Sequence, residues 1–74
     1  MNTTLLNELY ALLRSEISDA AKILTIGAIC APVEPKITPS FAAKLGISPS
    51  TLARHKNELD LEKISNLRKL WQEN

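Results

Sequence analysis

The 74-residue chain carries nine lysines and arginines against eight acids, a net charge of +1 that by itself says nothing about nucleic acid. Its length allows one small domain, near the size at which a single core is only marginally stabilising. Three aromatics (Tyr10, Phe41, Trp71) and one valine leave a core of Leu, Ile and Ala, while the lone Cys30 excludes an intramolecular disulfide and any site of several thiolates.

That composition favours helices, and no run alternates apolar and polar residues over strand length. The expected fold is all-α, a small single domain over residues 1–74 with four or five helices. From Thr3 or Thr4, which can cap, apolar positions recur at Leu5, Leu6, Leu9, Leu12, Leu13, Ile17, Ala20, Ala21 and Leu24 with a helical period. The pattern reads equally as one helix running to Cys30 or as two that part near Ser15–Ser18, where Ser18 offers a second cap. Cys30, among Ala28, Ile29 and Ala31, is expected to behave as a small buried hydrophobe. The run Ile23–Ala31 is too short to span a bilayer and lacks the basic start of a signal peptide, so a cytoplasmic protein is expected.

The N-terminal segment is apolar around more than half its circumference. Leu5, Leu12, Ile23, Ile26 and Ile29 lie off the stripe set by Leu6, Leu9, Leu13, Ile17 and Leu24. A second stripe calls for a cover, and residues 1–31 are therefore expected to form the interface of a homodimer. The other arrangement covers it with the C-terminal helix of the same chain. Pro32, Pro35 and Pro39 then enforce a non-helical connector.

Residues 38–59 spell two short helices joined by a tight corner. Thr38-Pro39 opens the first, with Phe41, Ala42 and Leu45 on one face. Gly46 permits a left-handed ending, and Ser48-Pro49 repeats the opening. Leu52 and Leu59, seven residues apart, form the apolar side of the second helix. This is the pattern of a helix-turn-helix. Beyond Asp60, a candidate cap, Leu61, Ile64, Leu67, Leu70 and Trp71 make a C-terminal amphipathic helix over 60–74, with Glu62, Lys63, Arg68 and Lys69 expected to face water.

Charge is not spread evenly. Residues 1–35 hold two cations and four acids, whereas 36–57 hold Lys36, Lys44, Arg54 and Lys56 with no acid. Positive potential is thus concentrated on the proposed motif.

The run Gly46-Ile47-Ser48-Pro49-Ser50-Thr51-Leu52-Ala53-Arg54-His55 resembles the turn and recognition helix of bacterial helix-turn-helix regulators. It looks most like the tetracycline-repressor family, in which a similar turn precedes Thr, Leu, an aromatic residue and His. Ala42, four before the glycine, is similar to the small residue those motifs use where the helices touch. Ala53 stands where the family has the aromatic and Lys56 where it has a bulky apolar residue. The resemblance is to the motif, and the chain is too short for that family's ligand-binding domain. It implies that His55 lies near the DNA backbone.

In such a motif the start and outer face of the second helix reach base edges, which here means Ser48, Ser50, Thr51, Ala53, Arg54 and Asn57. Arg54 can donate twice to guanine and Asn57 can pair with adenine. Lys36, Lys44, His55 and Lys56 suit phosphate contacts. Catalytic and metal residues and cofactors are not expected, since no nucleophile–base–acid set or glycine-rich phosphate loop is present. The expectation is a small sequence-specific DNA-binding regulator, of transcriptional or plasmid or phage type, acting on double-stranded DNA as a homodimer. The alternative is a protein-interaction module, an anti-repressor or adaptor that reuses the same fold on a protein partner.

Overall fold

A computed structural model describes residues 2–73, and among them every regular element is helical. Five α-helices follow one another: α1 (Thr3–Arg14), α2 (Asp19–Cys30), α3 (Pro39–Lys44), α4 (Pro49–His55) and α5 (Leu61–Gln72), with one 3-10 turn (Lys56–Glu58) between α4 and α5.

The N-terminal segment is two helices, not one. Ser15 leaves helical geometry, and Ser18 takes an extended backbone while its Oγ accepts the Ala21 N–H at 3.1 Å. The cap of α1 is Asn2 rather than Thr3 or Thr4, its Oδ1 accepting from the Leu5 N–H at 3.2 Å. Asparagine is the stronger capping type, and a cap one residue earlier lengthens the helix by one residue.

α2 is the centre of the molecule. It buries Ala21, Leu24, Thr25, Ala28 and Ile29 and packs along α5 and against α4. Two long-range contacts fix its direction relative to α5: Ser18 bonds Glu58, and the Ala28 carbonyl bonds Arg68. Ser18 and Ala28 are ten residues apart, as are Glu58 and Arg68, so the segment from the 3-10 turn into α5 advances in the same direction as α2.

The interior divides into two linked clusters. Leu5, Ala28, Ile29, Ile64 and Leu67 form one, and Leu24, Ala42, Ile47 and Leu52 the other. Ile37, Phe41 and Leu59 touch both and make a single continuous core of them.

Three expectations from the sequence are corrected by this packing. The stripe assigned to a dimer interface contains Leu5 and Ile29, both fully buried, and Leu12, nearly so, all within one chain, whereas Ile23 stays 44% exposed and Ile26 half-buried. The large hydrophobic residues of α1 that remain exposed are Leu6 (41%), Tyr10 (52%) and Leu13 (51%). The cause is that α5 covers the Leu5 side of α1, and the break at Ser15–Ser18 resets the phase between α1 and α2. Arg68, expected in water, is 4% exposed; its guanidinium donates to the carbonyls of Ala28 at 2.5 Å and Ala31 at 2.9 Å, satisfying acceptors that the end of α2 leaves open. Cys30, expected inside, is exposed, because Ala28 and Ile29 take the inward positions of the last turn of α2. No helix among the described residues is long and apolar enough to cross a membrane.

Candidate nucleic-acid interface

The corner between α3 and α4 is built by local chemistry. Thr38 Oγ1 accepts the Phe41 N–H at 3.2 Å, and Pro39 occupies the first helical position, where no donor is needed. At the other end Gly46 has φ +79°, and the Gly46 and Ile47 amides donate back to the Ala43 and Ala42 carbonyls at 3.0 and 2.9 Å. That pair of bonds closes a helix through a left-handed residue, which an L side chain adopts only with strain. Ile47 then turns inward, 8% exposed, and Ala42 at 0% lets the two helices touch. Gly27 of α2 lies against Leu45 so closely that a Cβ there would meet its Cδ1 at 2.6 Å, which seats the corner on the central helix.

Leu52 is the buried side of α4, and this sets what the helix shows to solvent. Ser50, Ala53 and Arg54 are exposed, as is Lys44 at the end of α3. Ser48, Ser50 and Thr51 form a hydroxyl cluster at the start of α4: Ser48 Oγ accepts the Thr51 N–H at 3.3 Å and bonds Thr51 Oγ1 at 2.9 Å, with Ser50 Oγ at 3.2 Å. Ser48 is therefore the cap, and Ser50 and Thr51 are oriented by it.

Two residues are placed differently from the sequence reading. α4 ends at His55, so Asn57 belongs to the 3-10 turn and not to the helix face, and it lines a groove together with Lys36 and Lys56. His55 turns toward its own chain, with Nδ1 2.5 Å from Glu58 Oε2 and its side chain 26% exposed.

Glu58 is the residue the sequence did not single out. Its carboxylate accepts the Ser18 N–H at 2.9 Å and the Ser18 hydroxyl at 3.0 Å, tying the end of α4 to the start of α2. The bond from the Ser18 amide, supported by His55 and the Ser18 hydroxyl, holds the Glu58 carboxyl below its ordinary pKa against the opposing effect of desolvation. A separation of 40 residues leaves no local signal of such a pairing.

Among the described residues the ion pairs are His55–Glu58 and Glu8–Lys63, the latter at 3.2 Å. Lys36, Lys44, Arg54 and Lys56 take part in neither, so among the described residues their charge meets no ion-pair partner. The groove that Lys36, Lys56 and Asn57 share is an open cleft of about 870 Å³. It runs between the connector before α3, the 3-10 turn and the start of α5.

Comparison with protein-family models, with curated proteins and with solved structures finds no match.

Proposed function

We propose that this protein is a small sequence-specific DNA-binding regulator that reads duplex DNA through α3 and α4 as a helix-turn-helix and acts as a homodimer. The observation that carries the reading is the α4 surface: Ser50, Ala53 and Arg54 stand exposed opposite buried Leu52, on a segment with four internally unpaired cations and no acid. Such a face supplies both parts of DNA recognition, donors for base edges and charge for phosphates. Arg54, Ser50 and Thr51 are the base-reading candidates, and Ser48 acts beside them as the cap that orients them. Lys44, Lys36 and Lys56 are the phosphate contacts, with Asn57 at the edge of the same surface. His55 serves the interface through Glu58, holding the end of α4, and approaches the backbone with the face of its ring that remains open to solvent.

Dimerisation rests on the exposed row Leu6, Tyr10 and Leu13, spaced four and three residues apart and so on one face of α1. The same row supports the second reading, an interaction module whose partner is another protein.

Duplex binding measured over a salt series tests the proposal, because phosphate contacts make affinity fall as salt rises. Arg54→Ala is expected to cost about 1–3 kcal/mol and relax preference at one base position. Lys44→Ala should weaken all sequences alike and reduce the salt slope by about one unit. If both folded variants bind like the parent, or the parent shows no salt-dependent duplex binding, the interaction module replaces the DNA reading.

A further inference from the structure

The groove beside α4 combines an apolar floor with unbalanced charge. Ile37, Leu59 and Ile64 belong to the core and line it from below, while Leu61, 62% exposed, stands open to solvent at its side. Two exposed lysines, Lys36 and Lys56, face one acid, Glu34, across the same space. Neither lysine is paired with a carboxylate elsewhere in the described chain. Its volume of about 870 Å³ falls within the range of small-molecule sites, which are mostly apolar with a few polar groups that orient the ligand.

We propose that this groove binds a soluble amphipathic anion, an aliphatic chain lying on Ile37, Leu59, Leu61 and Ile64 with a single carboxylate-type head held by Lys36 and Lys56. The apolar floor removes the chain from water, and the excess of cation over acid selects the sign of the head. The site also has a regulatory consequence, which rests on the DNA reading. Lys36 and Lys56 are phosphate contacts in that reading, so an anion seated on them competes with duplex DNA. This domain would then carry an effector site beside the helix that reads DNA.

The test uses the full chain, isotope-labelled, titrated with decanoate below its micelle concentration and in parallel with decyltrimethylammonium, which has the same chain length and the opposite charge. Decanoate should bind with one-to-one saturation and shift the backbone resonances of residues 34–38 and 56–64. Lys36→Ala and Lys56→Ala should each weaken it about two- to fivefold, the range for single exposed charges. Glu34→Gln should strengthen it by a similar factor, and decyltrimethylammonium should show the opposite order. Because one substitution strengthens binding, loss of folding cannot mimic the full pattern. Equal binding of the two ions, indifference to all three charge variants, or shifts centred elsewhere overturns the proposal. Duplex affinity is then measured with and without saturating decanoate. Decanoate binding without duplex binding at any salt leaves the groove assignment standing and ends the DNA reading; duplex binding without decanoate binding does the reverse.

Discussion

Arg68 offers the sharpest test of how the fold is held. Its guanidinium lies 2.5 Å from the Ala28 carbonyl, 2.9 Å from that of Ala31 and 3.5 Å from that of Ile29. The first two are hydrogen bonds from a charged donor, a class worth about 1.5–3 kcal/mol net. Favourable alignment of a cation with the C-terminal end of α2 adds to this, and the cost of burying the charge subtracts. Arg68→Met keeps most of the apolar stem and removes the donors, leaving the carbonyls of a buried helix end without partners. The expected loss is about 2 kcal/mol. Against a total near 4–11 kcal/mol for a domain of this length, that is a large share. The melting temperature should fall by about 8–16 °C. Arg68→Ala, which also empties the space of the stem, should lose about 1–2 kcal/mol more. Urea unfolding followed by circular dichroism reads both. A Met variant within about 0.5 kcal/mol of the parent would mean that water serves the α2 carbonyls as well as the guanidinium does, and the account of Arg68 would be wrong.

Gly46→Val should cost about 1–2 kcal/mol or more from backbone strain alone, since φ is +79° and a Cβ there would meet nothing within 4 Å; an unchanged melting temperature counts against the corner. Because the folded-state pKa of Glu58 is depressed, its stabilising contribution is present above the ordinary glutamate value of about 4.3 and is lost as pH falls through the lower folded value. Glu58→Gln should therefore flatten the acid limb of the stability–pH curve, and an identical limb in the two proteins refutes the Ser18 pairing as its source. Sedimentation of the parent at tens of micromolar (roughly where a weak dimer is still populated) should show a dimer that Tyr10→Gln shifts toward monomer; a parent that sediments as a monomer removes the two-half-site arrangement.

What was legible in the sequence was local. Thr38-Pro39, Ser48-Pro49 and Asp60 each mark a helix start that the structure contains, because a cap acts within three residues of itself. Asp60 Oδ1 accepts the Lys63 N–H at 2.9 Å. Gly46 was legible for the same reason. The orientation of α1 was not. Leu5 and Leu12 lie next to Leu6 and Leu13, so two apolar rows of nearly equal strength compete, and only the position of α5 decides between them. Arg68 was half legible. It follows Ile64 by four residues and precedes Trp71 by three, which puts it on the inward face, but its charge argued for water. The candidate site divides likewise. The exposure of Arg54 and Lys44 follows from the local helix pattern, whereas the end of α4 at His55, which leaves Asn57 in the 3-10 turn, and the bond from Ser18 to Glu58 40 residues away had no local signal.

Glu58 and Arg68 are best understood as a pair. Each meets one end of α2 from 40 residues further along the chain, the acid at the N-terminus through Ser18 and the base at the C-terminus through the Ala28 carbonyl. Both signs match the helix dipole. Glu58 lies in the 3-10 turn before α5 and Arg68 in the second half of α5, so the segment from 58 to 68 runs alongside α2 from one end to the other. The pairing also has a bearing on recognition. Glu58 holds His55, the last residue of α4, and Ser18, the cap of α2, at the same time. α4 is thereby joined at its C-terminal end to the most buried helix of the molecule, while Gly46 and Ile47 fix its other end against α3. A seven-residue helix has little stability alone. Fastened at both ends, it holds Arg54 in one orientation, which the bidentate base contact of the proposed function would require.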